Sequence, residues 1–395
     1  MVNSSRGSSW RQAGAAFVLF GSMLILYLTQ GRLPPEQSDQ VPVSNHAFVK
    51  DDNNNTNSSS LRLSFEGDPL YRDYQRFQCI RNNRTWCADA EATTQQWIQP
   101  MALIAGTQKG GTRALLTYLH YHPAIYNYQG RETKILHNAF VDNPYEGPDQ
   151  VDQCRILKTY HREFAAKYEM NERTGFSWQP FSDKGATGFF DKSPSYMLDS
   201  EHVPQRFTCV LPQGKIILLL RNPVDRSYSH YHHNDKKYGP PKISFREMVQ
   251  QELDLWESLG LSEANTAGTQ ARVWRNYKAM APKGATLVAR SLYVLQLRQW
   301  LGVLEDHFGE DIDKHLLIVE SERLHHDVQG VMNEVWNFLG LGPFELSCTR
   351  TFHAHNYTSL DNATRAWLTE FYRPWNEQLD ALLAPRGIRL SWAKT

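Results

Sequence analysis

Residues 101–123, MALIAGTQKGGTRALLTYLHYHP, constrain the fold more than any other stretch of the sequence. The apolar run at 101–105 is typical of a strand buried on both faces. Gly110 and Gly111 allow the next turn to bring its backbone N–H groups close to a ligand, and Thr112 begins a helix. Because the N-terminus of a helix attracts anions, this stretch predicts a phosphate-binding site; a βα turn that binds no ligand is the alternative.

Further strands and helices alternate after this unit. Residues 215–220, KIILLL, and 316–319, LLIV, are apolar runs typical of parallel strands, and a shorter strand is expected to end at Lys192. Asn222 suits a helix N-cap and Pro223 the first helical position. The pattern predicts an α/β fold, in which a parallel sheet is flanked by helices and binds its ligand at the carboxyl ends of the strands.

The N-terminal part of the sequence has a different composition. Residues 12–31 carry no charge and are long enough to span a bilayer as a helix, with a buried helix of a soluble domain as the alternative. Arg6 and Arg11 precede this segment, so the N-terminus is expected in the cytosol. The predicted organisation is a cytosolic tail at 1–11, a transmembrane signal anchor at 12–31, a flexible stem at 32–60, a lead-in segment at 61–100 and a lumenal domain at 101–395.

A lumenal location predicts glycosylation and disulfide bonds. Sequons for N-linked glycosylation occur at Asn54, Asn57, Asn83, Asn356 and Asn362. Of the five cysteines, Cys79 and Cys87 are close enough in the sequence to bridge a short loop. The odd number leaves at least one thiol or one intermolecular bridge to be explained.

The charge balance narrows the possible partners. Lys plus Arg and Asp plus Glu both number 42, so the formal net charge is zero. The chain therefore has no general affinity for polyanions, and no nucleic-acid partner is expected. A site for an acidic substrate must be a local patch of basic residues.

The order of residues in the glycine-rich turn differs from that of a nucleoside triphosphatase. A Walker A loop places its lysine after the last glycine, whereas Lys109 precedes Gly110 and Gly111. Lys109 is therefore expected to point toward the bond between a bound phosphate and the group that this phosphate carries. Glu320, at the end of LLIVE, could imitate an acidic residue that holds magnesium, which leaves a triphosphatase or kinase as an alternative.

A second anion-binding element is predicted in RNPVDRSYSHYHH, residues 221–233. Arg221 lies at a strand end and Ser229 about two turns into the next helix, so a guanidinium and a hydroxyl can converge on one phosphate. An ion pair between Arg221 and Asp225 is the structural alternative. Two separate phosphate sites fit a nucleotide that is phosphorylated at two positions.

Five motifs extend this pattern over residues 101–392. They are KGGTRALL at 109–116, KSPSY at 192–196, RNPVDRSYS at 221–229, RSLY at 290–293 with Trp300, and FYRPWN at 371–376. In this order they resemble the Golgi heparan sulfate sulfotransferases, in particular the 3-O-sulfotransferase and N-sulfotransferase branch. The resemblance implies a sulfotransferase fold. It also implies the transfer of a sulfuryl group from 3′-phosphoadenosine 5′-phosphosulfate (PAPS) to a hydroxyl or amino group of a glycan, in a reaction that uses no metal.

The resemblance also implies roles for individual residues. Glu132 corresponds to the family's catalytic glutamate and Lys192 to a lysine near the transferred group; a surface carboxylate and a strand-end lysine are the alternatives. Lys109 would stabilise the oxygen that leaves with the 5′-phosphate. The implied donor contacts are Lys109, Gly110, Gly111, Thr112 and Arg113 with the 5′-phosphosulfate, Arg221 and Ser229 with the 3′-phosphate, and Tyr293, His353 and His355 elsewhere in the donor site.

The sequence departs from the family pattern at two places, after Glu132 and between Cys348 and His355. After the glutamate the family has an aromatic run ending in aspartate, where this chain has TKILH at 133–137. Cys348, His353 and His355 stand where the family has a disulfide hairpin and a basic phosphate loop. We therefore expect donor binding to tighten below about pH 6.5, where these histidines become charged.

Several basic side chains are candidates for contact with an anionic glycan, with ordinary solvated lysines as the alternative. They are Lys134, Lys236 and Lys237. His230, His232 and His233 are expected to line the acceptor cleft, since no H-E-x-x-H or paired C-x-x-C motif accompanies them to hold a metal. Two other functions stay open: a glycosyltransferase with Asp311 and Asp313 in a metal-binding D-x-D motif, and a non-catalytic glycan-binding protein.

Overall fold

The computed structural model describes residues 78–80, 100–125, 132, 134–138, 150–152, 188, 190–239, 243–281, 286–350 and 357–393. The chain divides into two units, Met1–Ser60 and Leu61–Thr395, and every described residue belongs to the second. The predicted anchor at 12–31 and stem at 32–60 lie outside the described residues. Within the described ranges, no helix is long and apolar enough to cross a membrane.

The strands are β1 (Gln78–Ile80), β2 (Ala102–Gly106), β3 (Gln150–Asp152), β4 (Phe190–Lys192), β5 (Ile216–Leu220) and β6 (Leu316–Glu320). Four of them form a parallel sheet in the order β4–β2–β5–β6, and β1 and β3 form a separate parallel pair. Every residue of β5 is buried. The parallel sheet predicted from the apolar runs is confirmed.

The α-helices of the described ranges lie between and after the strands, with four of them between β5 and β6. They are α1 (Thr112–Leu119), α2 (Ile135–Asn138), α3 (Val203–Val210), α4 (Pro223–Tyr238), α5 (Phe245–Ser258), α6 (Ala267–Met280), α7 (Tyr293–Phe308), α8 (Ser321–His326), α9 (Val328–Leu339) and α10 (Asn362–Leu383). Short 3-10 helices lie at Ala289–Ser291, Gly309–Lys314 and Ala384–Arg386.

These helices cover both faces of the sheet, because alternate residues of each strand point to opposite faces. Leu103 and Leu218 pack on one face with buried residues of α3, α5, α6, α7 and α10. Ile104 and Leu219 pack on the other face with α1 and α9. The result is a three-layer α/β/α domain, whose ligand site is expected at the carboxyl edge of the sheet.

Only Arg221 and Asn222 connect β5 to α4. Asn222 Oδ1 accepts hydrogen bonds from the backbone N–H groups of Val224, at 3.0 Å, and Asp225, at 3.3 Å, and Pro223 occupies the first helical position. This confirms the helix start predicted from the sequence. Because Arg221 lies between the last strand residue and the cap, its backbone is fixed at the carboxyl edge of the sheet.

The predicted modification sites fall mostly outside the described residues. This holds for Asn54, Asn57, Asn83 and Asn356, and for the side chains of Cys79 and Cys87. Asn362 is exposed at the first position of α10. Cys348 is a free thiol, and Cys209 takes part in a disulfide bond whose partner is not among the described side chains.

Leu218→Ala is expected to destabilise the domain by about 3 kcal/mol, because it leaves a cavity in the central strand. Leu218 is 0% exposed and packs against the larger core cluster. Urea unfolding at constant pH measures the loss. Leu382→Ala, at a partly exposed position on α10, is the matched control and should cost clearly less. Equal losses in the two variants would contradict the assignment of β5 to the core.

Candidate active site

The glycine-rich turn lies between β2 and α1 at the carboxyl edge of the sheet. Thr107 N donates to Leu219 O at 2.8 Å and Gly110 N donates to Thr107 O at 2.9 Å, which ties the turn to β5. A Cβ atom at Gly110 would lie 2.8 Å from Leu219 O, and Gly111 has a φ of 93°, so both positions favour glycine. Gly111 is the N-cap of α1 and provides no side-chain acceptor, so the first N–H groups of the helix can bind an anion.

The predicted donor residues of this turn occupy successive positions around that helix start. Lys109 adopts a positive φ of 71° and is partly exposed. Thr112 is buried as the first residue of α1, whereas Arg113 is exposed in its first turn. The turn therefore combines backbone N–H groups with two cationic side chains.

Arg221 connects the second predicted anion-binding element to the first. Its Nη1 donates to Lys109 O at 3.2 Å. Tyr293 OH donates to Arg221 O at 2.9 Å, and Tyr293 is only 1% exposed. Tyr293 thus fixes the backbone of Arg221.

The ion pair between Arg221 and Asp225, which was the structural alternative to phosphate binding, is not among the described ion pairs. Asp225 Oδ1 accepts from Arg365 Nη2 at 2.6 Å, and the described ion pairs do not join Asp225 to Arg221. Ser229, the proposed partner of Arg221 on α4, is 4% exposed. The Arg221 guanidinium is therefore not held by the carboxylate that the sequence offered as its partner.

Arg226 is a buried residue of the RNPVDRSYS motif that the sequence analysis did not single out. It is fully buried; its Nε donates to Ser291 Oγ at 2.6 Å, its Nη1 to Gln108 O at 3.4 Å and its Nη2 to Leu287 O. One guanidinium thus links α4, the glycine-rich turn and the segment before α7. The second arginine of the RNPVDR sequence is the feature from which this residue could have been identified.

The turn after β4 holds the segment that follows the candidate base. Asp191, which is 0% exposed, accepts hydrogen bonds from Ser193 Oγ and Tyr196 OH, each at 2.9 Å. The same two hydroxyls accept from Lys134 N and Leu136 N, each at 3.0 Å. The KSPSY motif therefore positions the backbone of residues 134–136 through a buried carboxylate.

His137, which departs from the family pattern, joins the same turn. Its Nδ1 lies 2.9 Å from Asp199 Oδ2 and its Nε2 lies 2.9 Å from Ser195 Oγ. These two contacts fix the end of the segment that carries the candidate base. The TKILH sequence thus preserves a defined position for this segment.

Glu132 lies among cationic side chains. Its Oε2 is 3.7 Å from Lys134 Nζ, and its side chain is 34% exposed, so an acceptor can reach it. Burial lowers the pKa of Lys192; the Glu132 carboxylate opposes this shift and Arg113 adds to it. Glu132, Lys192 and Arg113 are therefore close enough to interact electrostatically, as the proposed catalytic roles require.

A buried carboxylate fixes another cation beside this group. Glu252 accepts from Val288 N and Ala289 N, each at 2.8 Å. The adjacent residue Arg290 has a pKa lowered to about 10 by burial, with Glu132 opposing the shift. Its guanidinium therefore stays charged at neutral pH and lies within the electrostatic range of Glu132. The RSLY motif was noted in the sequence, but Arg290 was not assigned a role there.

The histidines of α4 differ in environment. His230 is 4% exposed, and its Nδ1 lies 3.4 Å from Arg226 Nη1. Burial, followed by the charges of Arg226 and Arg290, holds the pKa of His230 well below its usual value. His233 is partly exposed near it, with ring centroids 6.5 Å apart. In the described part of the chain, no group of His, Cys, Asp and Glu residues could hold a metal ion.

The remaining predicted ligand residues are only partly described. Lys134 and Lys237 are exposed, whereas His353, His355 and the side chain of Lys236 lie outside the described residues. The described residues on either side of the segment that contains His353 and His355 are held by hydrogen bonds. Tyr118 OH on α1 donates to Arg350 O and Tyr228 OH on α4 donates to Thr358 O, each at 2.9 Å.

The acidic residues behind the alternative functions have other partners. Glu320 is 5% exposed, and its Oε1 accepts from the N–H and the hydroxyl of Ser391, so this buried carboxylate has a structural role at the end of β6. Asp311 pairs with Lys314 at 2.6 Å in the 3-10 helix that precedes β6. That helix lies at the amino end of the strand, away from the carboxyl edge, which removes the support for a D-x-D motif there.

Comparison with known proteins shows which family this chain belongs to. Residues 99–369 match the model of the sulfotransferase domain family. The chain belongs to this family. The match covers more than half of the chain and includes the glycine-rich turn, Glu132, Lys192 and the RNPVDRSYS motif.

Two human relatives and one solved structure are similar to this sulfotransferase-family chain. Bifunctional heparan sulfate N-deacetylase/N-sulfotransferase 2 is 27% identical over 75% of this chain and 31% of its own length. Bifunctional heparan sulfate N-deacetylase/N-sulfotransferase 1 is 26% identical over 84% of this chain and 34% of its own length. The chain thus spans about a third of these relatives. A sulfotransferase from Alicyclobacillus acidocaldarius, 22% identical, superimposes with a TM-score of 0.51 over 75% of this chain and 99% of its own, which supports the sulfotransferase fold.

His230→Gln is expected to flatten the pH dependence of stability. The pKa of His230 lies well below 6.5 in the folded chain, so below that pH the unfolded chain binds an additional proton and stability falls as the pH falls. Linkage gives a loss of about 1.4 kcal/mol between pH 7.5 and 5.5 that the variant should lack. Urea unfolding at the two pH values measures it. The exposed His307→Gln is the control and should keep the wild-type loss; an unchanged loss in His230→Gln would contradict the assignment.

Proposed function

We propose that this protein transfers a sulfuryl group from PAPS to a hydroxyl or amino group of a glycan, with a heparan-sulfate-like polysaccharide as the acceptor. The observation that carries the proposal is the hydrogen bond from Arg221 to Lys109 O at 3.2 Å, which joins two anion-binding elements at one edge of the sheet. A nucleotide with phosphates at its 5′ and 3′ positions matches such a pair. Membership of the sulfotransferase family and the similarity to heparan sulfate N-sulfotransferases support the donor and acceptor classes.

In the proposed reaction, the oxygen or nitrogen of the acceptor group forms a bond to sulfur, and Glu132 accepts the proton that this hydroxyl or amine loses. The bond between sulfur and the 5′-phosphate oxygen breaks on the opposite side, and Lys109 stabilises the charge that develops on this oxygen. Lys192 and Arg113 offset the charge of the sulfuryl oxygens. The products are the sulfated glycan and 3′-phosphoadenosine 5′-phosphate.

The exposed lysines are proposed to contact the acceptor. Lys134 is paired with Glu132 at 3.7 Å, so it can exchange this carboxylate for an anionic group of a glycan as the acceptor approaches. Lys237 is exposed on α4, and Lys236 precedes it. Together these lysines would favour a negatively charged polysaccharide over a neutral one.

The proposed location is the Golgi membrane, with a single span and the catalytic domain in the lumen. The charge-free segment at 12–31, the arginines before it and the stem composition at 32–60 support this topology. The Golgi location of a heparan-sulfate-modifying reaction is consistent with it. The proposed lumenal modifications are a disulfide bond between Cys79 and Cys87 and glycosylation at Asn54, Asn57, Asn83, Asn356 and Asn362.

Lys109→Ala and Glu132→Gln are expected to abolish most of the sulfuryl transfer. Purified protein is incubated with labelled PAPS and a panel of glycans, including heparan sulfates with free amino groups or unsulfated hydroxyls. Loss of the general base or of the cation on the leaving oxygen should lower kcat by about a hundredfold or more. Binding of 3′-phosphoadenosine 5′-phosphate by Glu132→Gln should persist, because Glu132 acts on the acceptor.

The matched controls are Lys314→Ala and Glu310→Gln, which change exposed residues before β6. Both should retain wild-type transfer. Transfer that survives both active-site substitutions refutes the mechanism, and a wild-type protein that labels no glycan of the panel refutes the proposed acceptor class.

Donor binding is expected to tighten as the pH falls from 7.5 to 5.5, because protonation of His353 and His355 adds positive charge near the bound phosphates. Isothermal titration with 3′-phosphoadenosine 5′-phosphate at three pH values measures the trend. The double variant His353→Gln and His355→Gln should bind more weakly than wild type at pH 5.5 and equally at pH 7.5. A wild-type affinity that changes with pH no more than that of the variant sinks the idea.

A further inference from the structure

The peptide group between Arg221 and Asn222 is held from both sides. Its carbonyl oxygen accepts from Tyr293 OH at 2.9 Å, and its N–H donates to Glu322 Oε1 at 2.9 Å. These two bonds fix the plane of the peptide directly after Arg221. The direction in which the Arg221 side chain leaves the backbone depends on this plane.

Trp392 contacts both of the residues that hold this peptide. Its Nε1 donates to Glu322 Oε2 at 3.2 Å, and its ring centroid lies 6.0 Å from that of Tyr293. Trp392 is 5% exposed, so these contacts are shielded from water. One indole thus connects the residue that binds the carbonyl oxygen with the residue that binds the N–H.

The segment that carries Trp392 is itself anchored to the sheet. Ser391 donates through its N–H and its hydroxyl to Glu320 at the end of β6, and Ala393 N donates to Leu390 O at 3.1 Å. Trp392 therefore approaches the β5 to α4 junction from a fixed position. It belongs to the same carboxyl edge of the sheet as Arg221.

The orientation of Arg221 depends on whether both oxygens of the Glu322 carboxylate accept a hydrogen bond. Burial raises the pKa of Glu322, and the N–H of Asn222 and the charge of Arg221 oppose the shift, so the carboxylate lies within the electrostatic reach of Arg221. A carboxylate oxygen without a hydrogen-bond donor would compete with a phosphate for the Arg221 guanidinium. The indole N–H of Trp392 occupies that oxygen.

We propose that Trp392 is a positioning residue for the donor: by holding Glu322 and packing on Tyr293, it orients Arg221 toward the 3′-phosphate. This inference rests on the proposed function, since it assigns the 3′-phosphate to Arg221. Trp392 acts through Glu322 and Tyr293 and does not touch the donor. Its effect is therefore confined to recognition of the 3′-phosphate.

The test is the discrimination between 3′-phosphoadenosine 5′-phosphate and adenosine 5′-phosphate, which lacks the 3′-phosphate. In Trp392→Phe the ring that packs on Tyr293 is kept and the N–H is lost. Affinity for the first nucleotide, measured by isothermal titration, should fall about three- to tenfold, while affinity for the second stays the same. The KM for PAPS should rise with kcat unchanged at saturating donor.

Two further variants separate positioning from loss of stability. Trp336→Phe removes an equally buried indole from the opposite face of the sheet and should leave the ratio of the two affinities unchanged. Glu322→Gln leaves one side-chain oxygen for the two N–H donors of Asn222 and Trp392, so one of these bonds is lost and the ratio should fall. In its background Trp392→Phe should have little additional effect, because the two residues act through one hydrogen bond. Glu322→Gln also supplies the measurement if Trp392→Phe does not fold.

The outcomes distinguish the two proposals. A wild-type protein that binds both nucleotides equally overturns the 3′-phosphate role of Arg221, and with it the proposed donor. A wild-type protein that prefers the 3′-phosphorylated nucleotide, together with a Trp392→Phe or Glu322→Gln protein that keeps the full preference, overturns the role of Trp392 alone. A fall in both affinities to the same extent also overturns it, because that result indicates general disruption.

Discussion

The buried guanidinium of Arg226 is the interaction on which the carboxyl edge of the sheet depends. A charge that is removed from water is costly unless its donors are satisfied, and Arg226 directs its donors to Ser291, Gln108 and Leu287. These acceptors lie on two segments, the glycine-rich turn and the segment before α7, so displacement of either one leaves a charged donor without its partner. The glycine-rich turn and the Arg221 junction therefore keep a fixed spacing, and a ligand that spans them meets a site formed in advance.

Cationic side chains dominate the electrostatics of this edge. His230 senses the field of the site, because its pKa is lowered by burial and by the cations Arg226, Arg290 and Lys109. Glu132 compensates only part of this positive charge. An anionic ligand such as the proposed donor would relieve the repulsion among these cations. The zero net charge of the whole chain conceals this local excess.

Local signals made the strands, the cap at Asn222 and the glycine-rich turn predictable, because each acts within a few residues. Contacts between distant residues were not predictable in this way. Asp225 binds Arg365, 140 residues away, and Glu320 binds Ser391, 71 residues away. Neither partner can be inferred from spacing along the chain. The proposed role of Glu132 rests on resemblance to a family, since nothing in its immediate sequence neighbourhood distinguishes it from a surface carboxylate.

The position of β4 has a consequence for how such a protein can diversify. Among the described strands β4 pairs only with β2, at the edge of the sheet, and its three residues lead into the turn that holds the Glu132 segment. The glycine-rich turn and Arg221 follow β2 and β5, in the interior of the sheet. An edge strand can change its turn without altering the register of its interior neighbours. Changes in the turn after β4 can therefore alter the surroundings of Glu132 while the glycine-rich turn and Arg221 are inherited unchanged.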